Sequence, residues 1–144
     1  YFSVFKIMKK IFLAIFLIGT TSCIAEKTTV GKICTKIKTN PNLVEEYKKG
    51  KKFKLPLFFF DVSFLPEESQ QWVGKDPTGK AYARVTMSNK EGQKIGQECI
   101  SSYEAKCTFY IQGFFDEHLN EPYGYGNNCE IRLRKVKVLN KIKK

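Results

Sequence analysis

Histidine is almost missing from this chain, with His118 the only one in 144 residues. Triads and zinc sites that need several imidazoles are therefore largely excluded. No G-x-S-x-G, H-E-x-x-H, P-loop or EF-hand spacing occurs, and neighbouring carboxylates such as Glu67 and Glu68 point in different directions along a chain. Long apolar runs are lacking too. The run at residues 11–18 is far short of the roughly 20 residues that a membrane helix needs. Acidic residues are few, 14 against 25 lysines and arginines, for a net charge of +11. No internal repeat or low-complexity stretch is present. What remains is 42% hydrophobic and 14% aromatic, enough for one small domain with a real core.

The N-terminal residues read as an export signal. From Met8 the chain runs through Lys9 and Lys10, the apolar stretch, and small polar residues ending at Cys23. Residues 1–7 read as mis-called upstream sequence, 8–25 as the signal, 26–140 as a single domain and 141–144 as a basic tail. Two processing routes fit. In one, Cys23 becomes the lipid-carrying first residue of a bacterial lipoprotein, preceded by Leu17, Gly19 and Ser22, with Thr20 where an aliphatic residue is usual. In the other, a signal peptidase cuts after Ala25, with small residues at Cys23 and Ala25. Either route removes Cys23 from the five cysteines and leaves four. In an oxidising compartment an even number fits two disulfides, with three connectivities open. The preferred one joins Cys99 to Cys107 across a short loop and Cys34 to Cys129, tying the N-terminal region to the last strand. No C-x-x-C spacing argues for a metal instead. The expected location is the periplasm, an outer-membrane anchor or the extracellular medium.

Charge is unevenly spread. Residues 27–54 carry nine lysines against Glu45 and Glu46, residues 55–131 six basic against eleven acidic groups, and residues 132–144 seven basic groups and no acid. A fold that brings the two ends together makes one positive face opposite a negative one; otherwise they are solvated segments that keep the protein soluble. Asn40 and Pro41 open a short helix over 41–49, closed by Lys48, Lys49 and Gly50. Beyond it the pattern is β. Residues 52–64 set Phe53, Leu55, Leu57 and Phe59 on one face, with Pro56 marking a bend or an edge. Residues 66–80 read as a long polar loop turning at Pro77-Thr78-Gly79. Residues 81–88 alternate with Ala83, Val85 and Met87 inward, and Asn89-Lys90-Glu91-Gly92 turns the chain into a strand over 95–100. The next strand, 106–115, is broken by Gly113, and a second loop follows over 116–128. The last strand, 129–139, slips its apolar register from Leu133 to Val136, which predicts a bulge near Lys135. Five strands result, with only a turn at 101–106 between the third and fourth.

Closing these strands into a small five-stranded antiparallel OB-like barrel with a short N-terminal helix removes exposed edges, and a small β-sandwich is the competing mainly β solution. The chain also resembles bacterial exported proteins and lipoproteins with a tRNA-anticodon-binding-like OB-fold domain. The likeness runs over residues 40–139 and is carried by the helix entering Tyr47-Lys-Lys-Gly50-Lys, by Tyr110-Ile-Gln-Gly113 and by Cys129-Glu-Ile-Arg-Leu133. It implies a binding module rather than an enzyme, and it carries no site residue across.

From the residues themselves the expected function is a non-catalytic binding module of the bacterial envelope with no cofactor. Lys51, Lys52, Lys54, Arg132, Arg134 and Lys137, with Lys48, Lys49 and Lys135 nearby, are the candidate basic face for an anionic polymer or a membrane surface; nucleic acid is a less favoured partner. Trp72, Tyr123 and Tyr125 are placed in loops beside amides, which suits another envelope or host protein and defines the alternative, a protein-protein or inhibitor lipoprotein. The Phe58-Phe59-Phe60 run reads as core before it reads as a stacking platform. Asp116, Glu117, His118 and Glu121 form a weak acidic cluster for which solvated loop charges are the preferred reading over a metal site.

Overall fold

Period-two alternation becomes strand wherever one face is apolar and the other polar, and here strands make up just over half of the described residues. The computed structural model describes residues 24–79, 81–99, 107–119 and 129–143. Among them are strands β1 (Glu26–Lys27), β2 (Lys52–Leu65), β3 (Ser69–Lys75), β4 (Ala81–Ser88), β5 (Thr108–Leu119) and β6 (Cys129–Lys141), and helices α1 (Val30–Thr39), α2 (Leu43–Lys48) and α3 (Asn89–Cys99). The strands pair in the order β1-β2-β3-β4-β6-β5, and β5 pairs back onto β2, closing a five-stranded barrel. That closing pair runs from Lys52 opposite Phe114 to Phe58 opposite Thr108 and rules out an open sandwich. The barrel is mixed rather than wholly antiparallel, because β4 and β6 pair parallel.

The inner face is filled as the alternation requires. Phe53, Leu55, Leu57, Ala83, Val85, Ile111, Phe115, Ile131 and Leu133 are all essentially buried. At about 25 cal/mol per Å² of apolar area, each large side chain of this set contributes about 1.5–3 kcal/mol. Pro56 fits because of where it lies. Lys54 turns its carbonyl to Thr28 N at 3.1 Å, beside β1, and Pro56 faces the same side, past the end of β1 and before β3 pairing begins at Phe58. Its missing N–H thus falls in a gap in the ladder.

Two expectations fail, and they offset one another in the strand count. Residues 66–80 are not a long loop, since β3 occupies Ser69–Lys75 as the second half of a hairpin with β2. Its inward residues are Gln70, Trp72 and Gly74 rather than aliphatics, and its turn holds Glu67 and Glu68 in left-handed backbone (φ 61° and 53°), where glycine or asparagine is the usual signal. Conversely, residues 95–100 are not a strand. They belong to α3, whose start is capped by the Ser88 hydroxyl accepting from Glu91 N at 3.3 Å. A helix therefore does stand between the third and fourth barrel strands. Gly92 lets it sit against the barrel, because a Cβ there would collide with the Gln70 amide.

Gly113 does not break β5, which runs on to Leu119. The bulge expected near Lys135 is present, with Lys135 at φ 51° and a register shift between Gln112 opposite Lys137 and Phe114 opposite Arg134. A Cβ on Gly113 would lie 2.6 Å from Val136 Cγ2, so the glycine makes room for the bulged strand. The N-terminal helix is two helices. Val30, Ile33 and Ile37 bury one stripe of α1, Thr29 accepts from Lys32 N at 3.3 Å to cap it, and Asn40 ends it. Two disulfides staple the whole: Cys34–Cys129 joins α1 to β6 across 95 residues, and Cys99–Cys107 ties α3 to the approach of β5 across 8.

Candidate functional site

The outer positions of β2, β5 and β6 form three rows set by strand register. Lys52, Phe114 and Arg134 make one row; Lys54, Gln112 and Lys137 the next; Pro56, Tyr110 and Asn140 the third. Lys27 of β1 stands beside Lys54. Successive rows are about 6.6 Å apart, two residues of strand rise. Each aromatic ring in this array carries two cations. Lys27 and Lys54 Nζ lie 5.3 and 5.2 Å from the Tyr110 ring centre, and Lys52 Nζ and the Arg134 guanidinium lie 4.7 and 5.6 Å from that of Phe114. At such partly exposed sites each contact is worth about 0.5–1 kcal/mol, enough to orient a lysine but not to neutralise it.

Compensating acids are scarce here. Among the described residues Lys27, Lys52, Lys54 and Lys137 form no ion pair, and Arg134 meets Asp116 only at 3.8 Å. Glu91, on α3, is near enough to Lys137 to feel its charge. Two members of the sequence-expected set fall away from the array. Lys51 pairs with Glu26 at 2.7 Å, and Glu26 also takes Lys36 at 3.1 Å; the Lys51 hydrogen bond outweighs burial and, with Lys36 adding to it, holds the carboxyl below the ordinary range. Arg132 belongs to a second cluster on β4 and β6. There the buried Glu130 accepts from Arg84 Nε at 3.0 Å and Arg132 Nε at 3.4 Å, while Arg132 also reaches Glu117 at 3.2 Å. Lys27, which the sequence reading did not single out, joins the array instead. Its short pairing with β2 gave no periodic signal to find.

The aromatic candidates divide differently. Trp72 is not in a loop but buried in β3, its Nε1 donating to Gln70 Oε1 at 2.9 Å and its ring edge-on to Phe59 at 5.9 Å. It floors an apolar cleft of about 550 Å³ under Val62, Phe64, Gly92 and Gly96. Tyr123, Tyr125, Glu121 and Cys23 lie outside the described residues. Of the phenylalanine run, Phe59 is buried and Phe60 is exposed, edge-on to Tyr82 at 6.0 Å. Asp116, Glu117 and His118 are spread among separate partners: Arg134, Arg132 and the Cys34–Cys129 bridge. A ring nitrogen of His118 lies within 4.8 Å of both sulfurs. Those sulfurs are bonded to each other and offer no thiolate to an ion. Burial holds the His118 imidazole below its ordinary pKa.

No protein-family model matches the chain, and no curated protein sequence does. Solved structures do. A "putative nucleic acid-binding lipoprotein" from Klebsiella pneumoniae superposes with a TM-score of 0.53 at 13% identity, over 81% of this chain and 92% of that one. A "putative aspartyl-tRNA synthetase" from Leishmania major gives 0.43 at 12% identity, over 87% of this chain and 23% of that one. At these identities the likeness concerns the fold, which the first of the two shares along nearly its whole length.

Proposed function

We propose that this chain is an exported, non-catalytic binding module whose β1–β2–β5–β6 face holds a polyanion. The observation that carries the reading is the array itself: Lys27, Lys52, Lys54, Arg134 and Lys137 on adjoining strands, with Asp116 the single carboxylate in an ion pair with any of them among the described residues. Uncompensated cations this close raise the local anion concentration. The two disulfides suit an oxidising compartment, and lipid carried on Cys23 would set the domain on an envelope surface. The structural likeness to a lipoprotein described as nucleic acid-binding supports the same class of partner.

The test is retention of the oxidised domain, residues 26–144, on heparin, single-stranded DNA and anionic vesicles across a salt series. Retention lost between roughly 0.1 and 0.5 M salt is expected. No retention at low salt overturns the proposal. The alternative, a protein-binding lipoprotein, draws on Phe64, which is 78% exposed at the rim of the Trp72 cleft. Under that reading Phe64→Ala weakens partner binding and salt changes it little.

A further inference from the structure

Resting on that reading, we propose that the face recognises the backbone of an extended phosphodiester chain and leaves unread whatever the backbone carries. The rings are the first reason. A protein that reads bases by stacking presents bare aromatic faces. Here Tyr110 already has Lys27 and Lys54 within 5.3 Å of its centre, and Phe114 has Lys52 and Arg134 within 5.6 Å. A base entering either ring has to displace an ammonium or guanidinium first, whereas a phosphate entering beside the ring meets the cations where they stand. The aromatics act as mounts for charge.

Spacing is the second reason. Along β5 the cations fall at three successive rows, Lys52 and Arg134 at Phe114, Lys137 beside Gln112, and Lys27 and Lys54 leaning over Tyr110, with about 6.6 Å between rows. Successive phosphorus atoms of a nucleic acid strand are separated by six covalent bonds, and so are those of a glycerol-phosphate polymer. Six bonds of extended chain, as in two residues of polypeptide, span about 7 Å. One phosphate per row is therefore in register with the array. Acidic polysaccharides place their charges on rings and lack this repeat. The third reason is the shortage of directional groups. Gln112 and Asn140 are the amides in the three rows, too few donors and acceptors to distinguish four bases.

The experiment compares, at one salt concentration, equal-length oligo-thymidylate, oligo-adenylate, an abasic deoxyribose-phosphate oligomer, a glycerol-phosphate oligomer and heparin. The abasic oligomer is expected to bind within about threefold of both oligonucleotides, and heparin of matched charge about tenfold more weakly. Equal binding of the glycerol-phosphate oligomer supports the shared backbone as the ligand; binding of the deoxyribose forms alone supports it with nucleic acid as the source. A tenfold loss on removing the bases, or a tenfold difference between the two homopolymers, overturns the inference and leaves the polyanion reading standing. Failure of every probe, heparin included, overturns that reading itself. Two variants sharpen the result. Lys54→Gln should lower the slope of log affinity against log salt by about 0.7, the share of one single-strand phosphate contact. Tyr110→Leu should leave that slope unchanged and cost less than about threefold in affinity; a tenfold loss specific to oligonucleotides would show that the ring stacks.

Discussion

Two cationic clusters stand on this barrel, one of arginines and one mostly of lysines, put to different uses. On β4 and β6, Arg84 and Arg132 converge on a carboxylate, Glu130, that is wholly buried, and Glu117 takes the remaining reach of Arg132. On β1, β2 and β5 the lysines Lys27, Lys52 and Lys54 lean on aromatic rings, and among the described residues Arg134 forms the array's one ion pair, with Asp116 at 3.8 Å. The first cluster is folded into the structure, next to the Cys129 end of the long disulfide. The second is left facing outward. A count of positive charges treats the two alike, but the strand register decides which charges a ligand can use. Substitutions in the first should therefore register as stability, and substitutions in the second as affinity.

The largest effect belongs to the disulfide beside the first cluster. Replacing Cys34 and Cys129 together by serine opens a crosslink spanning 95 residues, and chain entropy puts the loss at about 4.7 kcal/mol. The 8-residue Cys99–Cys107 link should cost about 2.5 kcal/mol by the same reasoning. Denaturant unfolding of the two double variants measures the gap, and equal losses would mean that the long bridge does not hold α1 to β6 in the way the fold suggests. Next comes Glu130→Ala. It strips two arginines of their common partner, which for partly exposed cations should cost about 3 kcal/mol while polyanion retention stays intact.

The comparison would break most directly through binding. Lys52→Gln with Lys54→Gln removes a charge from each of two rows and should lower polyanion affinity about tenfold, about 1.4 kcal/mol, while the two ring contacts given up cost about 1–2 kcal/mol of stability, less than the Glu130 variant. Arg132→Gln, two residues along β6 from Arg134 but held by Glu117 and Glu130, should change affinity less than about twofold. If Arg132→Gln proves the more damaging to binding, the two clusters have been assigned the wrong way round.

How much of this was legible beforehand depended on what each segment had to say locally. The alternation in β2, β4, β5 and β6 is driven by aliphatic and aromatic side chains on one face, and it showed both the strands and the Lys135 bulge. β3 was hidden because Gln70 and Gly74 occupy core positions beside Trp72 and because its turn uses glutamates in left-handed backbone. α3 was hidden because Gly92 and Gly96 lower helix propensity by about 1 kcal/mol each and Ile95 is its one large apolar residue inward. The Ser88-x-x-Glu91 capping spacing was the signal that pointed to it. α1 had a usable signal too, in Thr29 followed by Val30, Ile33 and Ile37. For the site, Lys52, Lys54, Arg134 and Lys137 were visible as charge, but their separation from Lys51 and Arg132 depends on Glu26, Glu117 and Glu130, partners brought close only by the fold.

The smallest effect separates the clusters by pH. His118 lies against the Cys34–Cys129 bridge, and its burial holds the imidazole below the ordinary 6.5, so the fold favours the neutral ring. As pH falls through about 6.5 the unfolded chain takes up the proton before the folded one does, and stability declines. Glu26 and Glu91 act lower down. Lys51 and then Lys36 hold Glu26 below its ordinary 4.5. Burial pushes Glu91 up, but the Lys94 hydrogen bond and the Val138 N–H outweigh it and leave that carboxyl low as well. What they contribute is present above 4.5 and is lost as pH falls through their depressed values. Unfolding midpoints at pH 7.5, 5.5 and 3.5 should therefore fall in two steps, and His118→Gln should abolish the first step while keeping the second. Retention on a polyanion should hold from pH 7.5 to 5.5, because no histidine stands in the rows of the lysine face. A drop in retention that tracks the His118 step would tie the ligand to the arginine side of the barrel instead.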